Sequence, residues 1–144
     1  MIDEKPFMTL AQRHAQVEGY LGKTVDIEID RPIGYEHHKG AKTLLYPINY
    51  GYIPNVLGGD GEELDVFLLG VDKPVSRFTG AIVGIAYRAD DVEDKLIMAP
   101  AGVTFTASEM AKAIRFQEKY YDTTVVSLDG SSVRIKEMLK CRFS

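Results

Sequence analysis

Residues 46–69 read Tyr46-Pro-Ile-Asn-Tyr50-Gly-Tyr-Ile-Pro-Asn-Val-Leu-Gly-Gly-Asp60-Gly-Glu-Glu-Leu-Asp65-Val-Phe-Leu-Leu69. A tyrosine-rich segment bracketed by prolines runs into a glycine turn, and the turn opens an apolar strand. Asp60 and Asp65 flank that turn, with Glu62 and Glu63 between them. Two carboxylates about 4 Å apart repel by about 1 kcal/mol in bulk water and about 4 kcal/mol at an effective dielectric of 20. Acid at this density is costly unless a cation sits among it. A hard, oxygen-seeking ion such as Mg²⁺ converts the repulsion into binding.

Outward from this stretch, the pattern alternates between periods of two and of 3.6. Thr9 and Gln12 form a capping box, and Leu10, His14, Val17 and Leu21 then recur at helical spacing up to Gly22. Val25, Ile27 and Ile29 alternate with Asp26, Glu28 and Asp30, a half-buried strand with Glu28 on its polar face. Pro32, Gly34 and Gly40 predict turns around a short Tyr35-Glu36 element. Strands are expected at 65–69, 81–87, 95–99 and 124–128, and an extended run at 46–53. Thr106 and Glu109 cap a helix expected to reach about Tyr121, with Met110 and Ile114 on its buried stripe. Asp129 to Ser132 cap a last helix carrying Ile135, Met138 and Leu139. Helix, several strands, helix, strand, helix is an α+β order, and it favours a closed or nearly closed sheet over a doubly wound one.

The bulk numbers set limits. The 144 residues, 45% of them hydrophobic, suit one globular domain spanning 1–144 that buries about two-thirds of its unfolded surface. A net charge of −4 argues against nucleic acid as a partner but leaves an anionic small molecule open. The single cysteine, Cys141, excludes an internal disulfide and a cysteine-based zinc cluster. The acidic start, Met-Ile-Asp-Glu-Lys-Pro-Phe, has no secretion-signal run, and no apolar stretch reaches membrane-spanning length, so a cytoplasmic setting with no membrane partner is expected.

Some motifs fail on inspection. Gly22-Lys23-Thr24 has the end of a phosphate-binding loop, but Val17 stands where its upstream glycine belongs, and a helix precedes it instead of a strand. His14, His37 and His38 lack zinc-ligand spacing.

The central motif, Tyr-Pro-Ile-Asn-Tyr-Gly-Tyr-Ile-Pro followed by Asp-Gly-Glu-Glu-Leu-Asp-Val, resembles the signature of the family I soluble inorganic pyrophosphatases. That signature has an Asp-Gly-Asp-x-x-Asp core. Glu28-Ile29 and Tyr35-Glu36 resemble its upstream elements. Asp90-Asp91-Val92-Glu93-Asp94-Lys95-Leu96 resembles its second acidic loop, and Phe116-Gln117-Glu118-Lys119-Tyr120 its tyrosine-bearing helix. The resemblance covers about Val25 to Tyr121. It implies an OB-like five-stranded β-barrel with flanking helices, a homo-oligomer, and Mg²⁺-dependent hydrolysis of pyrophosphate, with Mn²⁺ as a substitute ion.

Roles follow position by position from the same resemblance. Asp60, Asp65, Asp90 and Glu93 take metal-ligand roles, with Glu28 as a supporting acid. Strand alternation puts Glu93 on the face of Lys95; Asp94 competes for the same role. Glu62 stands where the family has the aspartate that positions the attacking water. Tyr46, Tyr50, Tyr120 and Lys95 match phosphate-contacting positions, and Glu36 a supporting acidic one. Gly34 and Tyr121 replace two family lysines, and the family arginine between Glu36 and Tyr46 has no clear counterpart; His38, Lys39 and Lys42 are candidates to replace it. Those departures keep open a different phosphoanhydride, such as a nucleotide or polyphosphate, and a non-catalytic metal-binding barrel.

Overall fold

A computed structural model describes residues 7–141, with side chains through Met138. In chain order the elements are α1 (Leu10–Tyr20), β1 (Thr24–Arg31), β2 (Glu36–Lys39), β3 (Lys42–Leu45), β4 (Asn49–Leu57), β5 (Glu63–Leu68), β6 (Arg77–Arg88), β7 (Lys95–Ala99), α2 (Ala107–Glu118), β8 (Thr123–Ser127), β9 (Ser132–Arg134) and α3 (Ile135–Cys141). No helix among the described residues is long and apolar enough to cross a membrane.

Five strands close on themselves in the order β1-β4-β5-β7-β6, and β6 returns to β1. All neighbours are antiparallel except β5 and β7, which makes this the expected five-stranded mixed barrel. The long β6 makes closure work. Its first half pairs with β1 and its second half with β8, so one edge serves the barrel and then an external ladder.

Alternation divides the strands between two apolar layers. Val66 and Leu68 of β5, with Leu96 and Met98 of β7, join Ile27, Ile82 and Ile85 on the inside, and Val17 of α1 packs on the same cluster. Phe67 and Ile97 point the other way, onto Met110, Ala111 and Ile114 of α2. Strands sandwiched in this way read as unbroken apolar runs, as 66–69 and 95–99 do apart from Lys95. Asp65 and Lys95 therefore share the outer, α2-facing side with Phe67 and Ile97.

Gly51 records how closely the strands approach. A Cβ on Gly51 would stand 1.8 Å from the Glu28 carbonyl oxygen, where β1 and β4 cross at a register shift. Further along β4, Pro54 contributes no N–H and Asn55 adopts φ 64°, and the β4–β5 register slips between Tyr52 and Leu57. Glu63 Oε2 accepts from the freed Asn55 N–H at 3.1 Å, which repairs the gap.

Both capping boxes are present. The α1 stripe is rotated from the expected one: Arg13 and Val17 are buried, His14 is half-buried and Leu10 is 59% exposed. The turns predicted around Tyr35-Glu36 are a β2–β3 hairpin instead, whose polar Glu-His-His-Lys strand carries no apolar alternation to betray it. Helix α2 ends at Glu118, short of Tyr121. The Asp129–Ser132 segment does not cap the last helix. Asp129 folds it into a turn through Ser131 N–H and Oγ, and the short β9 follows before α3. Ile135 and Met138 pack on the core as expected, and the Leu139 side chain lies outside the described residues.

Because the atom opposing Gly51 is backbone, a methyl there forces β1 and β4 apart. Gly51→Ala is expected to cost about 2–3 kcal/mol, read as a lowered urea midpoint. An unchanged midpoint would place the β1–β4 contact elsewhere.

Candidate functional site

On the α2-facing side of the barrel lies an open cavity of about 650 Å³. Its wall carries Arg31, Lys39, Lys42, Arg88 and Lys95 against only two carboxylates, Asp65 and Glu93. Four tyrosines, Tyr46, Tyr50, Tyr120 and Tyr121, also line it, with Gln117, His37 and Thr43. A chain of net charge −4 thus presents a locally cationic concavity.

Lys95 lies at the inner end, at the first position of β7 and 2% exposed. Its Nζ donates to Asp65 Oδ2 at 2.8 Å, to Glu93 Oε1 at 2.7 Å and to the Tyr50 hydroxyl at 2.7 Å. An ammonium has three donors, and all three are used. Burial works to lower its pKa, but Tyr50, Asp65 and Glu93 outweigh burial and hold it well above the ordinary lysine value. Burial in turn pushes the Tyr50 phenol up, despite Lys95. At neutral pH Lys95 is charged and Tyr50 is neutral.

The two acidic loops meet here. Asp60 Oδ1 accepts from Glu62 N–H at 3.0 Å and folds the first loop, with Gly61 at φ 82°. Asp60, exposed on the first loop, is near enough to Glu93 of the second loop to act on its ionisation. Burial raises the pKa of Glu93 and Asp60 adds to it, while Lys95 opposes both. Asp94 faces the opposite way, into the protein. Its Oδ1 accepts from Arg88 N–H at 3.1 Å, and its Oδ2 lies 3.4 Å from Arg13 Nε. Between Glu93 and Asp94, then, Glu93 is the cavity residue, as alternation with Lys95 predicts.

Arg88 ends β6 and extends the network. It forks onto Glu118 of α2, through Nε at 2.9 Å and a second contact at 2.5 Å, and its Nη1 reaches Asp91 at 2.8 Å and Glu93 at 3.2 Å. Glu118 is fully buried and also accepts from Thr123 Oγ1 at 2.8 Å. On the opposite wall, Arg31 donates to the Tyr46 hydroxyl, which donates to Gln117 Oε1 at 2.7 Å. The Arg31 guanidinium also lies 5.5–5.9 Å from the ring centroids of Tyr35, Tyr46 and Tyr50.

The structure brings together Tyr46, Tyr50, Tyr120, Lys39, Lys42, Asp65, Glu93 and Lys95 along the cavity, with Asp60 touching it through Glu93. Tyr120 is 53% exposed and holds Lys42 Nζ 4.8 Å above its ring. Four expected residues do not line it. Asp90 Oδ1 accepts from Asp122 N–H, Glu62 and Glu36 are exposed, and Glu28 stands in the Glu28–Tyr52–Asp65 cross-strand row, separated from Asp65 by Tyr52. Among the described residues no three histidine, cysteine, aspartate or glutamate side chains already enclose a metal position. Two cavity cations, Arg31 and Arg88, and the carboxyl of Glu118 were not singled out from sequence. Arg31 and Arg88 each end a strand whose other members read as sheet, and their only signal was a basic residue beside a turn.

The inorganic pyrophosphatase family model matches residues 17–125. The inorganic pyrophosphatase of Neisseria meningitidis serogroup B is 29% identical over 115 residues, 65% of this chain and 64% of that protein. That of Nanoarchaeum equitans is 30% identical over 108 residues, 67% of this chain and 68% of that protein. The chain thus spans just under two-thirds of the Neisseria relative it matches. Two solved structures share the fold. The inorganic pyrophosphatase from Neisseria gonorrhoeae superposes with a TM-score of 0.54 at 22% identity, over 87% of this chain and 88% of that one. The inorganic pyrophosphatase from Ehrlichia chaffeensis gives 0.53 at 20% identity, over 83% and 91%. With the family match covering most of its length, on top of the barrel and the paired acidic loops, the chain belongs to the inorganic pyrophosphatase family.

Proposed function

We propose that the chain works as one cytoplasmic, self-associating domain that hydrolyses inorganic pyrophosphate to two phosphates with divalent cations held by Asp60, Asp65 and Glu93. The observation that carries this reading is the convergence of both acidic loops on Lys95, at the inner end of a cavity whose outer wall is cationic. Family membership supports the substrate, and the resemblance supports self-association.

The donor set suits a hard cation. Asp65 and Glu93 share one ammonium, and Asp60 raises the pKa of Glu93 from the facing loop. Oxygen-only donors favour Mg²⁺, with Mn²⁺ next. Divalent ions held there supply Lewis acidity that neutralises phosphate oxygens and makes water nucleophilic at neutral pH. The chain's own groups do the rest. The neutral Tyr50 hydroxyl, which accepts from Lys95, serves as a fixed donor to phosphate oxygens, and the Lys95 charge behind it stabilises the charge that builds there. Arg31, Lys39, Lys42 and the Tyr46 and Tyr120 hydroxyls hold the other phosphoryl group. Glu62 orients or deprotonates the attacking water, from its place beside Asp60. Asp90 and Glu28 stay outside the ligand set, because Asp90 is taken by Asp122 and Glu28 stands behind Tyr52.

A second reading, hydrolysis of a longer phosphoanhydride, draws on the size of the cavity. About 650 Å³ lies in the range of pockets for drug-sized ligands and exceeds what two phosphoryl groups fill. Phosphate release from pyrophosphate, tripolyphosphate and nucleoside triphosphates, with and without Mg²⁺, separates the two. Strong preference for pyrophosphate is expected; release from nucleotides alone would overturn it.

Asp65→Asn removes a charge and almost no volume, so it is expected to lower turnover by about 100-fold or more while the circular dichroism spectrum stays unchanged. Glu62→Gln is expected to lose about 10²–10⁴-fold and Glu62→Asp far less. Full turnover in Glu62→Gln would remove that residue from water activation.

Lys95→Met leaves Asp65 and Glu93 facing each other without their cation, at a cost of about 3–5 kcal/mol at pH 7. The folded pKa of Glu93, already raised, rises further in this variant. A raised folded pKa means that protonation favours the native state, so the deficit is full above that pKa and shrinks as pH falls. Urea unfolding of variant and wild type is therefore expected to differ less at about pH 5 than at pH 7. A gap that widens on acidification would contradict the Lys95 assignment.

A further inference from the structure

Resting on the metal-binding reading above, we propose that Arg13 of α1 is a positioning residue that locks the two acidic loops against each other, so that Asp60 and Glu93 meet as one cation site. Arg13 precedes the segment that the family model matches, and no role attaches to it from there.

A guanidinium buried to 5% exposure is costly unless its donors are used. Arg13 spends both Nη groups on one loop, while Nε makes no hydrogen bond and faces a carboxylate oxygen that also lacks one. Nη2 donates to the Arg88 carbonyl at 2.6 Å, Nη1 donates to the Asp91 carbonyl, and Nε stands 3.4 Å from Asp94 Oδ2. These contacts fall at the start, middle and end of the 88–94 loop. His14 adds a brace, with Nε2 3.6 Å from the same Asp94 oxygen and its ring edge-on to Tyr87. Holding the backbone of Arg88 and the carboxylate of Asp94 from behind leaves Glu93, between them, turned to the cavity.

The same helix is tied to the first loop. Gln16 Nε2 donates to the Leu57 carbonyl at 2.7 Å, and Met8 N–H to the Gly59 carbonyl at 3.3 Å. At Gly59 the three parts touch. A Cβ there would lie 2.4 Å from the Val92 carbonyl oxygen of the second loop, 3.2 Å from Arg13 Cδ and 3.3 Å from Arg13 Cβ. Glycine at 59 is what allows the loops to close over the Arg13 stem, one residue before Asp60. The helix sets the spacing of two carboxylates that it does not itself touch.

The test is Mn²⁺ binding to the free protein by titration calorimetry, read beside thermal unfolding. Arg13→Met keeps the stem and loses the donors; Arg13→Lys keeps the charge and loses the fork. Gly59→Ala leaves Arg13 intact and wedges the loops. Arg13→Met and Gly59→Ala are each expected to weaken Mn²⁺ binding about 10-fold or more, with Arg13→Lys only partly restored. In the double variant the loss is less than the product of the two, because both disrupt one junction. The KM for pyrophosphate at saturating Mg²⁺ is expected to move less than about twofold. Should Arg13→Met not fold, Gly59→Ala and Gln16→Ala carry the comparison. Folded variants with wild-type Mn²⁺ affinity and merely lower melting temperatures would overturn the positioning role. A wild-type protein that neither binds Mn²⁺ nor releases phosphate would instead overturn the reading on which that role rests.

Discussion

A charged ammonium buried at the junction of three strands and a loop sets the terms for everything around it. Removing Lys95 from water costs several kcal/mol, and only close, complete pairing offsets that cost. The pairing partners come from β4, β5 and the second acidic loop, so one group demands that Tyr50, Asp65 and Glu93 arrive together. That demand has geometric consequences. Asp65 must sit beside Lys95 across the parallel β5–β7 ladder, with Val66 opposite Leu96 as the next rung. Glu93 must lie two residues before Lys95 to share its face. The β4–β5–β7 pairing that builds one wall of the barrel also brings the Lys95 partners together.

Arg88 and Glu118 repeat the arrangement one layer away. Arg88 is 2% exposed and Glu118 fully buried, and between them they join the end of β6 to the end of α2. Burial works against the charge on Arg88, but Glu118 and Asp91 outweigh it. Buried ion pairs of this kind add little net stability, yet losing one member is expensive. Here they fix the helix over the cavity, which places Gln117 and Tyr120 on its wall.

The sequence exposed what has periodicity or fixed spacing. Two capping boxes located the starts of α1 and α2, and alternation favoured Glu93 over Asp94 while leaving Asp94 a competitor. The motif around Asp60 and Asp65 located the cavity's inner end. Features that depend on tertiary closure stayed hidden. Arg13 occupies a helix with modest amphipathicity, and nothing local distinguishes a buried arginine from a solvated one. Strand β2, Glu-His-His-Lys, is polar on both faces, so it carries no period of two. Ser132–Arg134 was masked by an Asp-Gly-Ser-Ser run that imitates a helix cap. Asp90 took its expected role from its place in a motif alone, and its carboxylate accepts from the Asp122 N–H away from the cavity wall.

The cavity's cations come from strand ends. The Arg88 guanidinium lies 3.7 Å from the Tyr121 ring centroid, and Arg31 stands on the cavity wall against Tyr46. The distribution of positive charge along the wall is uneven. At the inner end Lys95 and Arg88 are met by Asp65, Glu93, Asp91 and Glu118. On the outer wall Arg31, Lys39 and Lys42 have no carboxylate within ion-pair distance among the described residues. An anion entering the cavity therefore meets unpaired cations first and paired acids last. The field draws a polyanion in from one end, while the acids at the other end repel it until cations intervene. On the reading proposed above, a site built this way couples substrate affinity to metal occupancy through charge alone, without any moving part.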